Sequence, residues 1–228
     1  MRKRKAADVD SSRRQQLLRA SARLFREKGY DGTSVRDIAQ ATGMQSGSWV
    51  YHFRTKQDIL AAVMEEGLAQ ALERIEAIGR EQLPPREHFR ALLRTHLDTL
   101  LGPGQDFIPV LLYEWRSLEA AARPRIVELQ RRYESVWEMA IGELQRSGEW
   151  AMPTPVDRLL MFGALNWIAH WYRPAGPLDA VQLAAEAERF FLRTPAAPPR
   201  DASAPRAGRA RAARPRSVRG GRPSRRES

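Results

Sequence analysis

Residues 43 to 59 read GMQSGSWVYHFRTKQDI: a glycine, small polar side chains, three aromatic rings, an imidazole and two cations in one short run. Two chemistries use such a mixture. An active-site loop would need a serine or histidine poised for proton transfer. A DNA-gripping surface would need amide and hydroxyl groups for base edges, with rings and cations against phosphate. The catalytic option finds little support elsewhere. GMQSG sets its serine one place late for the G-x-S-x-G nucleophile elbow, and no strand leads into it. His52, His88, His96 and His170 are too scattered for a helical metal motif, and H-E-x-x-H does not occur. The absence of cysteine removes thiol nucleophiles, disulfides and cysteine-ligated metals. No Gly-rich phosphate loop is present, so the chain is expected to be no enzyme and to carry no cofactor or metal.

The DNA option requires elements to aim these side chains. Ser11 or Ser12 can cap a first helix carrying Leu17, Ser21, Leu24, Phe25 and Lys28 at helical spacing, with Gly29 as its stop. Ser34 followed by Asp37 resembles a capping box and opens a second helix bearing Val35, Ile38, Ala39 and Ala41. Only Thr42 and Gly43 separate it from a third segment, about 45–52. Thr55 with Asp58 forms another cap-like pair before the long helix KQDILAAVMEEGLAQALERIEAIGR. Two short helices about a tight glycine turn, with a third before them, make a helix-turn-helix unit. The N-terminal residues of its second helix, Gln45, Ser46, Gly47 and Ser48, would meet base edges in the major groove, unless they are only a polar helix start. Trp49 and Phe53, one turn apart, would pack inward, leaving Tyr51 and His52 to donate to phosphate and Lys56 to add a cation. Further helices are expected near 84–101, 105–120, 124–147, 155–173 and 178–193, punctuated by Gly and Pro. No alternating β-branched run suggests a strand, so the chain reads as all-α.

The stretch TSVRDIAQATGMQSGSWVYHFRTKQDIL resembles the DNA-binding segment of the tetracycline-repressor (TetR) family. The resemblance implies a homodimer with an N-terminal three-helix helix-turn-helix domain and a larger, sequence-variable helical domain that binds a small inducer and dimerises. On it, Gly43 is the turn glycine and Gln45 to Ser48 read bases. Tyr51, His52 and Lys56 contact or position the backbone, and Thr33 or Ser34 adds a phosphate contact. One departure stands out: Trp49-Val50 replaces the family's usual Leu-Tyr, whose tyrosine touches phosphate. Either Tyr51 takes over that contact or affinity leans on the basic ends.

Charge supports a polyanionic partner. The net charge of +11 divides into +7 over residues 1–54, −4 over 55–194 and +8 over 195–228. Residues 1–10 form a basic arm with Arg2, Lys3, Arg4 and Lys5; residues 195–228, rich in Arg, Pro and Ala, lack the apolar surface to fold. The expected organisation is arm (1–10), helix-turn-helix domain (11–55), ligand and dimerisation domain (56–194) and tail. A charged N-terminus without an apolar signal stretch, and no run long enough to span a bilayer, point to a cytoplasmic protein with no membrane partner.

The helix near 156–172 is apolar on nearly every face and must be buried on several sides. With 178–193 it would form the family's four-helix dimer interface, or else plain internal core. The segment GALNWIAHWYRPAGPL resembles a motif of the TetR branch that senses acyl-CoA thioesters or related lipid-degradation intermediates. Such a ligand needs an apolar slot, for which Trp115, Trp137, Phe162 and Trp167 are candidates. It needs cations for its phosphates, from Arg116, Arg132 or Arg173, and polar anchors, from Tyr113, Asn166 and His170. Each aromatic could equally be ordinary core. The expected function is a homodimeric repressor on a near-palindromic operator in double-stranded DNA, released by such an inducer. The alternatives are a regulator sensing a non-CoA hydrophobic compound, or a sequence-tolerant architectural DNA protein driven by the tail. The last would bind random and specific duplexes alike.

Overall fold

A computed structural model describes residues 2–44, 48–102, 105–150 and 154–192, and for residues 2–9 and 48 the backbone alone is described. Eight α-helices follow one another: α1 (Arg2–Lys28), α2 (Val35–Thr42), α3 (Lys56–Gly79), α4 (Pro85–Leu101), α5 (Phe107–Tyr113), α6 (Arg123–Arg146), α7 (Pro155–Trp171) and α8 (Ala180–Phe191). Short 3-10 turns lie at Ser48–Tyr51 and Trp115–Ser117. No strand occurs among the described residues.

Local chemistry explains most boundaries. Ser34 accepts the Asp37 amide while Asp37 accepts the Ser34 amide, and the pair Thr55 and Asp58 repeats the pattern at α3. Serving two donors as an anion holds the Asp37 carboxyl below its usual range, through the Ser34 side chain first and its backbone second. The same device opens α7 with Thr154 and Asp157, and α8 with Asp179 and Gln182. Gly43 ends α2 at φ 64°, and its amide closes onto the Ala39 and Gln40 carbonyls. A side chain would strain this left-handed cap.

The helices enclose two hydrophobic cores that α3 joins. Its first half places Ile59, Leu60, Val63, Met64 and Leu68 with Leu17, Phe25, Ile38 and Phe53 of the N-terminal elements, and with Phe107 and Val110 of α5. Its second half places Ala71, Leu72 and Ile75 with Phe89, Leu93, Trp137, Leu144, Leu165 and Leu183. The helix has 24 residues. At a rise of about 1.5 Å per residue it runs about 36 Å, long enough to reach through both cores. At Gly67 a Cβ would lie 2.6 Å from the Phe107 Cβ, so α3 and α5 meet almost backbone to backbone there. Around the second core, Arg86 and Arg90 of α4 grip the buried Glu188 of α8 at 2.6 and 2.5 Å.

Three boundaries differ from the sequence reading. Helix α1 begins at Arg2 rather than Ser11 or Ser12, because RKRKAADVD holds neither Gly nor Pro and six of its nine residues, Arg2 to Ala7, are good helix formers. The helix expected over 105–120 stops at Tyr113. Beyond it Leu118 turns into the core, and Gln57 of α3 binds the Ser117 carbonyl at 2.8 Å and the Glu119 amide at 3.1 Å. The last helix is the shorter Ala180–Phe191. Of the expected recognition segment, Gln45 to Gly47 and the Ser48 side chain lie outside the described residues, as does the tail 195–228.

Candidate nucleic-acid interface and ligand cavity

The end of the first core holds the residues expected to face DNA. Trp49 and Phe53 both pack into that core, and the Phe53 amide donates to the Trp49 carbonyl at 3.0 Å. Arg14 of α1 lies over the Phe53 ring at 5.3 Å. Their inward turn sends Tyr51 out, 92% exposed, beside the exposed Val50. Tyr51 thus presents its hydroxyl to solvent next to the position where Val50 cannot hydrogen-bond. His52 is mostly covered, its Nδ1 3.8 Å from Asp10 of α1. Ser34 is exposed at the α2 N-terminus, where its hydroxyl serves the cap.

Two other expected contacts are engaged within the protein. Thr33 is 1% exposed, and its hydroxyl donates to the carbonyls of Leu24 and Gly29. The Lys56 ammonium donates to the carbonyls of Tyr30 and Thr33 at 2.8 and 2.9 Å and sits 3.9 Å over the Tyr30 ring. It closes the turn after α1, a task that a sequence reading of Lys56 as a phosphate ligand gives no hint of.

A cavity of about 540 Å³ opens between α3, α4, α5, α6 and α7. Its walls are apolar where α3 supplies Leu68 and Ala71, α5 supplies Ile108, Leu111 and Leu112, and α7 supplies Leu159 and Phe162. Of the residues expected to hold a ligand, Trp115, Phe162 and Asn166 line it. Trp137 is fully buried behind it, edge-on to Phe162 at 5.4 Å. Tyr113, Trp167 and His170 instead form a separate ring cluster, His170 lying 5.0 Å from Tyr113 and 4.1 Å from Trp167. Arg116 and Arg173 are exposed outside the lining, Arg173 donating to the Tyr172 carbonyl. Arg132 pairs with Glu76 at 3.0 Å.

No sequence expectation pointed to the polar wall as a whole. It consists of His96 and Thr99 of α4, Gln130, Tyr133 and Glu134 of α6, and Asn166 of α7. His96 interrupts the apolar stripe Leu92, Leu93, Leu97 and Leu100, which is the one signal the sequence offers. Its Nδ1 lies 2.8 Å from the Tyr133 hydroxyl. Burial pushes its pKa down to about 4, with Asn166 opposing, so the ring is neutral at physiological pH. Burial likewise raises the Tyr133 pKa far above its ordinary value, opposed by Trp137. Glu134 accepts from Arg158 at 2.5 Å, and no Lys or Arg lines the cavity among the described residues.

Helix α5 stands between cavity and interface. Ile108, Leu111 and Leu112 face the cavity, whereas Phe107 and Val110 belong to the N-terminal core. Asp106, just before it, pairs with Arg26 of α1 at 2.8 Å. On α7, adjoining the cavity stripe, Val156, Leu160, Trp167 and Trp171 are exposed, Leu160 by 66% and Trp167 by 61%. Val181 and Phe190 of α8 are exposed as well. No helix among the described residues is long and apolar enough to cross a membrane.

Residues 17–63 match the family described as bacterial regulatory proteins, tetR family. Residues 82–194 match the tetracyclin repressor-like C-terminal domain. The HTH-type transcriptional repressor KstR2 of Mycobacterium tuberculosis is 28% identical over 178 residues, 76% of this chain and 88% of its own. Among solved structures, AibR in complex with isovaleryl coenzyme A and operator DNA is 26% identical with a TM-score of 0.72, over 78% of this chain and 97% of that one. The superantigen PfiT is 38% identical with a TM-score of 0.68, over 78% and 95%.

Proposed function

Because the chain belongs to the TetR family of transcriptional regulators, we propose that it is a homodimeric repressor that leaves its operator when a small acyl compound, best an acyl-CoA, fills the cavity. The observation that carries this reading is the position of α5, one face on the cavity and the other in the core beneath the DNA-facing turn. A ligand that wedges Leu111 and Leu112 apart from Phe162 moves Phe107 and Asp106 with them, and through Arg26 and Gly67 biases the orientation of α1 and α3. By linkage, the ligand weakens operator binding by the same factor by which operator weakens ligand binding.

The dimer is supported by the apolar residues left exposed along α7 and α8, because clustered exposed apolar surface marks interaction sites. Two such faces, stacked as a four-helix arrangement, would set the two recognition turns for successive major grooves, about 34 Å apart. Tyr51, Ser34 and the amides at the α2 and α3 N-termini supply backbone contacts, and Gln45 to Ser48 supply base contacts. The acyl-CoA assignment is supported by the isovaleryl-CoA bound to AibR and by the cavity's size and apolar walls. Since the described lining carries no cation, CoA phosphates must lie at its mouth or beyond.

The test is fluorescence anisotropy of a labelled duplex taken from upstream of the protein's own coding region, at about 150 mM salt. Binding confined to that duplex, and reversed by isovaleryl-CoA or a longer acyl-CoA, is the expected result. Equal binding to a scrambled duplex, indifferent to every thioester, overturns the reading.

A further inference from the structure

We propose that His96, backed by Tyr133 and flanked by Asn166, holds an uncharged carbonyl oxygen of the effector. The proposal rests on the cavity being the effector site and adds the chemical group that it selects.

His96 is 6% exposed, lines the cavity, and uses only one of its two ring nitrogens. Its Nε2 is buried and has no hydrogen-bond partner among the described residues. A neutral imidazole has one N–H, and the neighbouring groups decide which nitrogen carries it. Tyr133 keeps its proton, because burial disfavours the phenolate. The Trp137 indole, which can only donate, closes no full hydrogen bond, yet its N–H favours negative charge on the Tyr133 oxygen. The indole offers that hydroxyl no acceptor, so among the described residues Nδ1 is the only acceptor in hydrogen-bond reach of the Tyr133 O–H. The phenol therefore donates to Nδ1, and the imidazole proton resides on Nε2. A buried donor without an acceptor is costly; Asn166 favours the protonated ring, as an oxygen turned toward it does, yet closes no full hydrogen bond to Nε2, and its amide nitrogen is left for another acceptor.

Charge narrows what can fill the gap. Among the described residues the only charged lining residue is Glu134, and the cations behind the lining are already engaged, Arg158 with Glu134 and Arg74 with the Thr99 hydroxyl, so a carboxylate or phosphate inside the cavity would find no unengaged cation. A thioester, ketone or ester carbonyl accepts from the Nε2 proton, and the Asn166 amide can serve as a second donor to the same oxygen. Any charged portion stays outside.

Isothermal titration of the full-length protein with two matched pairs tests this. Isovaleryl-CoA is compared with its S-isopentyl thioether, and acetophenone with ethylbenzene; each pair differs in the carbonyl alone. The carbonyl member should bind about tenfold more tightly, the value of one hydrogen bond. His96→Phe should erase the preference and His96→Gln, which retains an N–H, should restore most of it. Long-range proton–nitrogen spectra should show His96 as the Nε2–H form, not titrating from pH 5 to 8, with Nε2 shifting on acetophenone addition. Equal affinities within both pairs, no binding by any probe, or the Nδ1–H form each overturn the proposal; the wild-type pairs decide even where a variant fails to fold. If acetophenone is preferred over ethylbenzene and isovaleryl-CoA neither binds nor releases operator, the carbonyl assignment stands and the acyl-CoA reading falls. Release by isovaleryl-CoA without preference in either pair has the opposite meaning.

Discussion

Replacing Gly67 with alanine tests whether the close approach of α3 and α5 is as tight as it stands. Glycine within a helix costs about 1 kcal/mol relative to alanine, so the substitution should stabilise wherever space permits. At Gly67 it does not. The new Cβ would lie 2.6 Å from the Phe107 Cβ and 3.4 Å from its carbonyl carbon. A comfortable carbon–carbon separation is about 3.5–4.0 Å. Both atoms are fixed to backbone, so no rotamer change relieves the overlap and α5 must retreat by about 1 Å. Overpacking of this kind costs about 1–3 kcal/mol, which offsets the gain in helix propensity and leaves a net loss of up to about 2 kcal/mol. For a chain of this length that lowers Tm by up to about 4–8 °C. Gly142, inside α6, has no described atom within 4 Å of an added Cβ, and its alanine variant should raise Tm. Calorimetry of both at one fixed protein concentration, so that any dimer linkage is constant, gives opposite signs if the packing is right. A Tm increase in Gly67→Ala would refute it. Because α5 also walls the cavity, the same variant should alter ligand affinity, and Gly142→Ala should not.

Glu188→Gln should destabilise by about 1–2 kcal/mol, less than the loss of a fully buried pair. The discount arises because Arg86 and Arg90 are half-exposed. Arg90 first, against desolvation, holds the Glu188 pKa below its ordinary value. Its contribution is therefore complete above the unfolded pKa near 4.5 and lost as pH falls through the lower folded value. The Tm gap between wild type and variant should be constant from pH 6 to 8 and close in acid; a gap that widens in acid is the contrary result. Leu160→Glu should convert a dimer to monomers in sedimentation, and a dimer unaffected at micromolar concentration would move the interface off α7. Tyr51→Phe should weaken operator binding about three- to tenfold without changing Tm. Lys56→Met should lower Tm as well, by removing a cation that holds two carbonyls and stacks on Tyr30; an unaltered Tm would return Lys56 to a purely phosphate-facing role.

What the sequence made legible was local. Ser34 with Asp37 and Thr55 with Asp58 are pairs three residues apart, and the Trp49 and Phe53 rings are one turn apart, so spacing alone implied their contacts. The cavity could not be read in this way. His96, Tyr133 and Asn166 belong to three helices, and their meeting depends on how α4, α6 and α7 cross. Trp137, Phe162 and Trp167 look alike as apolar residues; one is core, one is cavity wall and one is exposed. Hydrophobicity says that a side chain seeks cover but not what provides it. Glu188 had no visible partner until α8 was laid on α4.

The two stripes of α7 have a consequence for how such a protein can diverge. Leu159, Phe162 and Asn166 line the cavity, and Leu160, Gly163 and Trp167 follow them one residue later along the outer face. In the proposed homodimer, a lineage that alters its chemical preference through α7 thereby perturbs the face that would match a second copy, where each change is made twice at once. Gln130 and Tyr133 on α6 and Thr99 on α4 bear no such burden. On that proposal new specificities should arise first on α4 and α6, with α7 the slowest wall to change.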